Sequence, residues 1–133
     1  MQYAIIGAGG TGGVVGYFMT RAGKDVTLIA RGRHLEAMKE HGLTLERLWD
    51  PNPETIAVKA TDMEHYKEQP DVILVCVKGY SLEDTVPFIR RVAKPDTIVI
   101  PILNIYGTGA KLQKELPELL VTDIRMPRVS GLD

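Results

Sequence analysis

Cysteine, tryptophan and phenylalanine are scarce in this chain, with one, one and two copies in 133 residues. The single thiol, Cys76, excludes an intramolecular disulfide and removes the small disulfide-stapled class from consideration. It sits in the apolar run 72–77, where a thiol packs as a small hydrophobe. No apolar stretch approaches the ~20 residues needed to cross a bilayer. Met1 leads within two residues into a β-prone stretch, without the basic segment and cleavage site of a signal peptide. The expectation is a soluble, cytoplasmic chain with no membrane partner. An excess of one charge is missing too: 16 Lys and Arg face 17 Asp and Glu, a formal net charge of -1. That removes any global electrostatic case for a nucleic-acid partner. No residue is assigned to a metal.

Hydrophobic residues at 44% and charged residues at 25% fit an ordinary globular protein, and the length suits one domain with its own core. Glycine is abundant where it has work to do. An apolar run at 3–6 breaks into Gly7, Gly9 and Gly12 and resumes as an apolar segment of helical length. The spacing Gly7-x-Gly9-x-x-Gly12 between a strand and a helix is the dinucleotide-binding fingerprint. Gly7 permits the turn, Gly9 lets backbone approach a pyrophosphate, and Gly12 lets helix and strand pack closely, while Gly13 and Gly16 keep the helix slim. Ala8, Gly10 and Thr11 complete the turn, whose N–H groups face the phosphates at the positive end of the helix dipole. The alternative is a glycine-rich turn that is only punctuation.

The helix is expected over 11–21, with Val14, Val15, Phe18 and Met19 as its buried stripe and Gly23 as its stop. A second strand at 26–30 closes a βαβ unit. An acid at the end of that strand would bind the ribose 2′-OH of NAD. Here Ala30 is followed by Arg31-Gly32-Arg33-His34, with no carboxylate before Glu36. A guanidinium grips a 2′-phosphate that an acid would repel. NADP(H) is therefore the expected cofactor, with Arg31 the principal contact and Arg33 a second; the alternative is a solvated basic turn. His34 caps or decorates the next helix.

Further along, a short helix over 35–41 is closed by Gly42, and β-prone pieces at 43–46 and 55–60 flank the turn residues 50–53, with Trp49 a packing residue beside them. Thr61-Asp62-Met63-Glu64 reads as a capping box for a short helix that Pro70 ends. The run 71–77 is a central strand that delivers Val77 and Lys78 to the rim where ligands of doubly wound sheets lie, the alternative for Lys78 being a surface lysine at a strand end. Ser81 caps a helix bearing Val86, Phe88, Ile89 and Val92, and a strand over 97–103 brings Asn104 to the same rim. Gly107-Thr108-Gly109 opens a helix over 110–116, a last strand covers 119–122, and 123–133 reads as an irregular tail. The whole is an α/β, Rossmann-type doubly wound, mainly parallel sheet over 1–122.

Taken together, Ile6 to Gly13, Leu28-Ile29-Ala30-Arg31-Gly32 with His34-Leu35, Val77-Lys78, and Leu103-Asn104 with Gly107 make the chain similar to the N-terminal domain of the ketopantoate reductase family. The resemblance implies an NADPH-dependent reductase of a 2-keto acid, 2-dehydropantoate giving pantoate. It implies that the glycines and Arg31 hold NADPH while Lys78 and Asn104, with Val77 alongside, lie near the nicotinamide and the small-molecule keto acid. Two departures accompany it. Ile105 follows Asn104 where the family has glycine, and the family's helical C-terminal domain, which supplies the catalytic lysine, is absent from these 133 residues. The expectation is a cofactor-binding chain that is inactive alone, with a homo-oligomer left open. Two other readings stay open: a stand-alone NADP(H)-binding or sensing module acting through a partner, and another NADP-linked dehydrogenase of the same fold.

Overall fold

The computed structural model describes residues 1–7, 11–44, 54–76, 82–102 and 108–122. In chain order the elements are β1 (Gln2–Ile6), α1 (Thr11–Arg21), β2 (Asp25–Ile29), α2 (Gly32–His41), β3 (Leu43–Thr44), β4 (Thr55–Ile56), β5 (Lys59–Thr61), β6 (Val72–Val75), α3 (Leu82–Val92), β7 (Ile98–Pro101), α4 (Thr108–Glu115) and β8 (Leu120–Val121). Six strands form one sheet in the order β5-β2-β1-β6-β7-β8, every pair parallel. Counted among themselves along the chain, these strands run 3-2-1-4-5-6, the doubly wound order with its reversal between β1 and β6. The expected α/β class is what the chain adopts.

Sheets of this kind are covered on both faces, so their inner strands are apolar throughout instead of alternating. In β1, Ala4 and Ile6 enter the core beneath α3 and α4, with Ile73, Val75, Phe88, Ile89 and Leu112. Ile5 points the other way, into the core beneath α1 and α2, with Leu28, Leu35, Met38 and Leu74. All four residues of β6 are buried, as the apolar run predicts for a central strand. Among the described residues, no helix is long and apolar enough to cross a membrane.

Helix α1 has the expected bounds and half of the expected face: Val15 and Met19 pack against the core as expected, but Val14 and Phe18 do not. Val14 and Phe18 are 40% and 43% exposed, whereas Tyr17 is fully buried and Gly12, Gly13 and Gly16 face inward. Glycines cause the rotation, because side chains of zero volume let the backbone approach more closely than a valine stripe would. A Cβ built on Gly16 would lie 2.4 Å from Leu28 Cδ2, so the helix backbone rests directly on the side chain of β2 there. The helix stops at Gly23, with φ +81°, where the N–H of Lys24 reaches the Met19 carbonyl at 3.0 Å and that of Gly23 reaches the Thr20 carbonyl at 3.0 Å.

The edge beyond β2 departs further from expectation. The stretch 55–60 is not one strand, since β4 runs antiparallel to β3 while β5 runs parallel to β2. The two pieces belong to different sheets, and Ala57 and Val58 between them pair with neither. Helix α2 starts at Gly32, three residues early, which places His34 inside it. The capping box yields only a single turn at 63–65. The capping oxygen is Asp62 Oδ1, which accepts from the His65 N–H at 2.8 Å, while Thr61 ends β5 and offers its carbonyl to the Ala30 N–H at 3.0 Å. Arg91 makes a helix unnecessary there, donating to the carbonyls of Tyr66, at 3.0 Å, and of Met63. The strand expected over 97–103 is shorter, Ile98–Pro101, and the last one is Leu120–Val121. The turn at 50–53, Trp49, Ser81 and the tail 123–133 lie outside the described residues.

Candidate cofactor site

The site forms at the carboxyl ends of β1, β2 and β6. Gly7 follows β1 with φ +91°, a conformation that L side chains rarely adopt, so the first glycine of the fingerprint is required by the backbone. Its N–H donates to the Ile29 carbonyl at 2.9 Å, tying it to β2, while the Ile6 carbonyl accepts from Cys76 N–H at 2.9 Å, tying the same point to β6. Gly12 lies in the first turn of α1. A Cβ there would fall 1.8 Å from the Gly7 carbonyl oxygen and 3.2 Å from Cys76 Cβ. Helix α1 is thus seated directly on the turn at the sheet's reversal point, and the third glycine has the packing role its spacing assigns.

The starts of α1 and α2 lie at this rim. Neither α1 nor α2 carries an acidic residue in its first turn, and Arg31, the N-cap of α2, makes no side-chain capping bond. The positive ends of both dipoles are therefore unopposed by carboxylates of their own first turns. Arg31 leaves the end of β2 in an extended conformation (φ -150°, ψ 165°), and Arg33 follows in the first turn of α2; both are exposed. Gly32 between them has φ +67°, and a methyl group added to it would meet nothing within 4 Å, so its glycine answers a backbone requirement and not a packing one.

The described chain thus brings Gly7 and Gly12 into contact and sets Arg31 and Arg33 one strand away. Thr11 opens α1. Ala8, Gly9, Gly10, Val77, Lys78 and Asn104 lie outside the described residues. The strands leading to the last three, β6 and β7, are parallel neighbours, and the Ile102 N–H reaches the Val75 carbonyl at 2.8 Å. Sequence reasoning missed Cys76 as the surface beneath Gly12; a cysteine in an apolar run carries no signal for that beyond its position one residue before Val77.

Two carboxylates with lowered pKa, Asp71 and Asp25, sit at the opposite end of the sheet; a third, Asp62, follows β5 at the rim, where the His65 N–H and ring hold it below its usual range. The Lys94 ammonium and the Gln2 N–H hold the Asp71 carboxyl below its usual range, and the Lys59 ammonium, 2.7 Å away, does the same for Asp25. Both stand where strands begin, so they clamp the sheet and take no part in the rim's chemistry. No group of three or more His, Cys, Asp or Glu positioned to hold a metal occurs among the described residues.

Strand order and glycine turn together define a Rossmann-type domain. Residues 3–124 match the ketopantoate reductase PanE/ApbA family, and the chain belongs to it. It is 34% identical over 114 residues to the 2-dehydropantoate 2-reductase of Pyrococcus horikoshii, covering 86% of this chain and 36% of that protein. A PanE/ApbA family ketopantoate reductase from Ralstonia eutropha superposes with a TM-score of 0.81 at 29% identity, over 92% of this chain and 40% of that one. D-mandelate dehydrogenase, solved with NADH and anilino(oxo)acetate, superposes with a TM-score of 0.75 at 26% identity, over 90% and 37%. The chain spans little more than a third of the length of these relatives.

Proposed function

We propose that the chain is the NADPH-binding part of a reductase that converts a 2-keto acid to the 2-hydroxy acid, 2-dehydropantoate to pantoate. The observation that carries the cofactor choice is Arg31 at the end of β2, in the place where an NAD-binding domain has an acid. D-mandelate dehydrogenase, with NADH in its complex, shares the fold, so the fold alone leaves the choice between the two nicotinamides open, and the residue after β2 is what favours NADPH.

The residues present suit such a cofactor. At Gly12 a side chain would occupy the space of the Gly7 carbonyl, and Gly7 itself holds a conformation that only glycine adopts readily, so both positions meet what a dinucleotide-binding turn requires. When bound, the nicotinamide supplies the hydride for the keto group. The chain's own residues divide the remaining tasks. The turn residues Gly7, Ala8, Gly9, Gly10, Thr11 and Gly12 hold the diphosphate, and Arg31 with Arg33 holds the 2′-phosphate. Lys78 and Asn104, beside Val77, orient the keto acid and stabilise the charge that develops on its oxygen. The general acid is assigned to the part of the relatives' length that the match does not cover.

The test is a titration with NADPH and with NADH on the chain and on Arg31→Ala. A charge-assisted hydrogen bond contributes about 1.5–3 kcal/mol, so NADPH binding should weaken by about 10- to 150-fold while NADH binding is unchanged. Equal losses for the two nucleotides, or none for either, would remove Arg31 from the 2′-phosphate.

A further inference from the structure

The glycine turn has a floor, and the side chain forming it belongs to neither the fingerprint nor the basic pair. Cys76 follows β6, is 6% exposed, and packs in the core beneath α1 and α2. Its N–H is fixed to the Ile6 carbonyl, one residue before Gly7, so it cannot retreat without breaking the β1–β6 ladder. Above it stands Gly12, where an added methyl would come within 3.2 Å of Cys76 Cβ. Four residues along the helix, Gly16 rests on Leu28 in the same way. Among the described residues, Leu28 in mid-helix and Cys76 under the first turn therefore support α1 from below at its glycines. Only the second lies beneath the N–H groups that would face a phosphate.

We propose that Cys76 is a positioning residue, setting by its size the height of the α1 N-terminus above the sheet and so the seat of the cofactor's diphosphate. Its chemistry supports a role by shape. Burial pushes the thiol up to about 11, so at neutral pH it stays protonated, uncharged and weakly nucleophilic. A larger side chain is confined below: the Gly7 N–H is tied to the Ile29 carbonyl and the Cys76 N–H to the Ile6 carbonyl, which leaves the first turn of α1 as the element that can rise. An anion held by several N–H donors is sensitive to such a displacement, because each hydrogen bond weakens steeply once its length and angle leave the favourable range.

The inference rests on the NADPH-binding reading, and the experiment separates the two. Affinities for NADPH and for adenosine 2′-monophosphate, which carries the 2′-phosphate but no diphosphate, are measured on the chain and on Cys76→Ser, Cys76→Val and Cys76→Leu. Circular dichroism and a denaturation midpoint establish folding. NADPH binding by the unaltered chain supports the reading itself; its absence overturns both. With binding established, Cys76→Ser should keep both affinities, while Cys76→Val and Cys76→Leu should lose NADPH affinity progressively, by about tenfold or more for leucine. Binding of adenosine 2′-monophosphate should be unchanged throughout. Should the leucine variant fail to fold, the valine variant carries the same comparison. Unchanged NADPH affinity in the folded larger variants, or parallel loss of both ligands, would overturn the proposal.

Discussion

Replacing Gly12 with alanine adds one methyl group at a crowded point where α1 meets the sheet. Two effects oppose each other. In a helix, alanine is favoured over glycine by about 1 kcal/mol, so the exchange would stabilise α1 if nothing stood in the way. The Gly7 carbonyl oxygen does: the new Cβ would lie 1.8 Å from it, where ordinary contacts begin near 3.4 Å. That oxygen is backbone, and Gly7 is held by its bond to Ile29, so relief requires α1 to lift off β1. Overpacking by a methylene-sized group costs about 1–3 kcal/mol, and more where the neighbour is rigid. Against a rigid backbone neighbour the cost lies at the top of that range, so the steric term wins by a net of about 2 kcal/mol. For a domain of this size that lowers Tm by roughly 8 °C. Gly23→Ala is the control, because its cost is purely conformational: φ is +81° and nothing lies within 4 Å of the added methyl. It should lose about 1–2 kcal/mol and leave nucleotide binding intact, whereas Gly12→Ala should impair both. Thermal melts of the two variants with NADPH titrations decide the matter. A Gly12→Ala chain that melts within about 2 °C of the parent would refute the contact on which the site is built.

The doubly wound sheet was legible because its strands obey a local rule. Runs such as 72–75 are apolar without alternation, and the two glycine stops at Gly23 and Gly42 are conformational requirements visible as residue types. What failed was reasoning that assigns a face or a cap from side-chain type alone. Val14 and Phe18 have helical spacing and greasy side chains, yet they lie outward because Gly12 and Gly16 dictate which side of α1 approaches the sheet. The capping box at 61–64 failed because its competitor is remote. Arg91, 25 residues beyond Tyr66, takes the carbonyls that a helix would have used. At the site, Gly7 and Gly12 could be read because what they meet, a positive φ and a close approach of helix to sheet, is visible as residue type. The seat beneath them could not, since it depends on which strand lies next to β1, and that is fixed only when the sheet is assembled.

Two further expectations concern polar groups remote from the rim. The Tyr66 hydroxyl is buried with no hydrogen-bond partner among the described residues, and burial raises its pKa. Tyr66→Phe should therefore raise stability by about 1 kcal/mol, the penalty of an unsatisfied group being removed while the ring and its contact with Phe88 remain; a lower urea midpoint would show that the hydroxyl is in use. The second expectation is a pH dependence at the other end of the sheet. Asp71 binds Lys94 and the Gln2 N–H, and its carboxyl is held below the usual range of about 3.9 found in unfolded chains. Between those two values the unfolded state binds the proton more readily, so stability rises with pH there. The carboxylate's contribution is therefore full above about pH 4 and disappears as pH falls through the depressed folded value. Lys94, whose pKa the same contact raises, works in the opposite sense, its contribution being lost only in strongly alkaline solution. Asp71→Asn should thus be less stable than the parent at neutral pH, with the gap closing as the buffer is taken down to about pH 3. A gap that stays constant over that range would mean that the carboxylate's charge contributes nothing and that only the shape of the side chain matters.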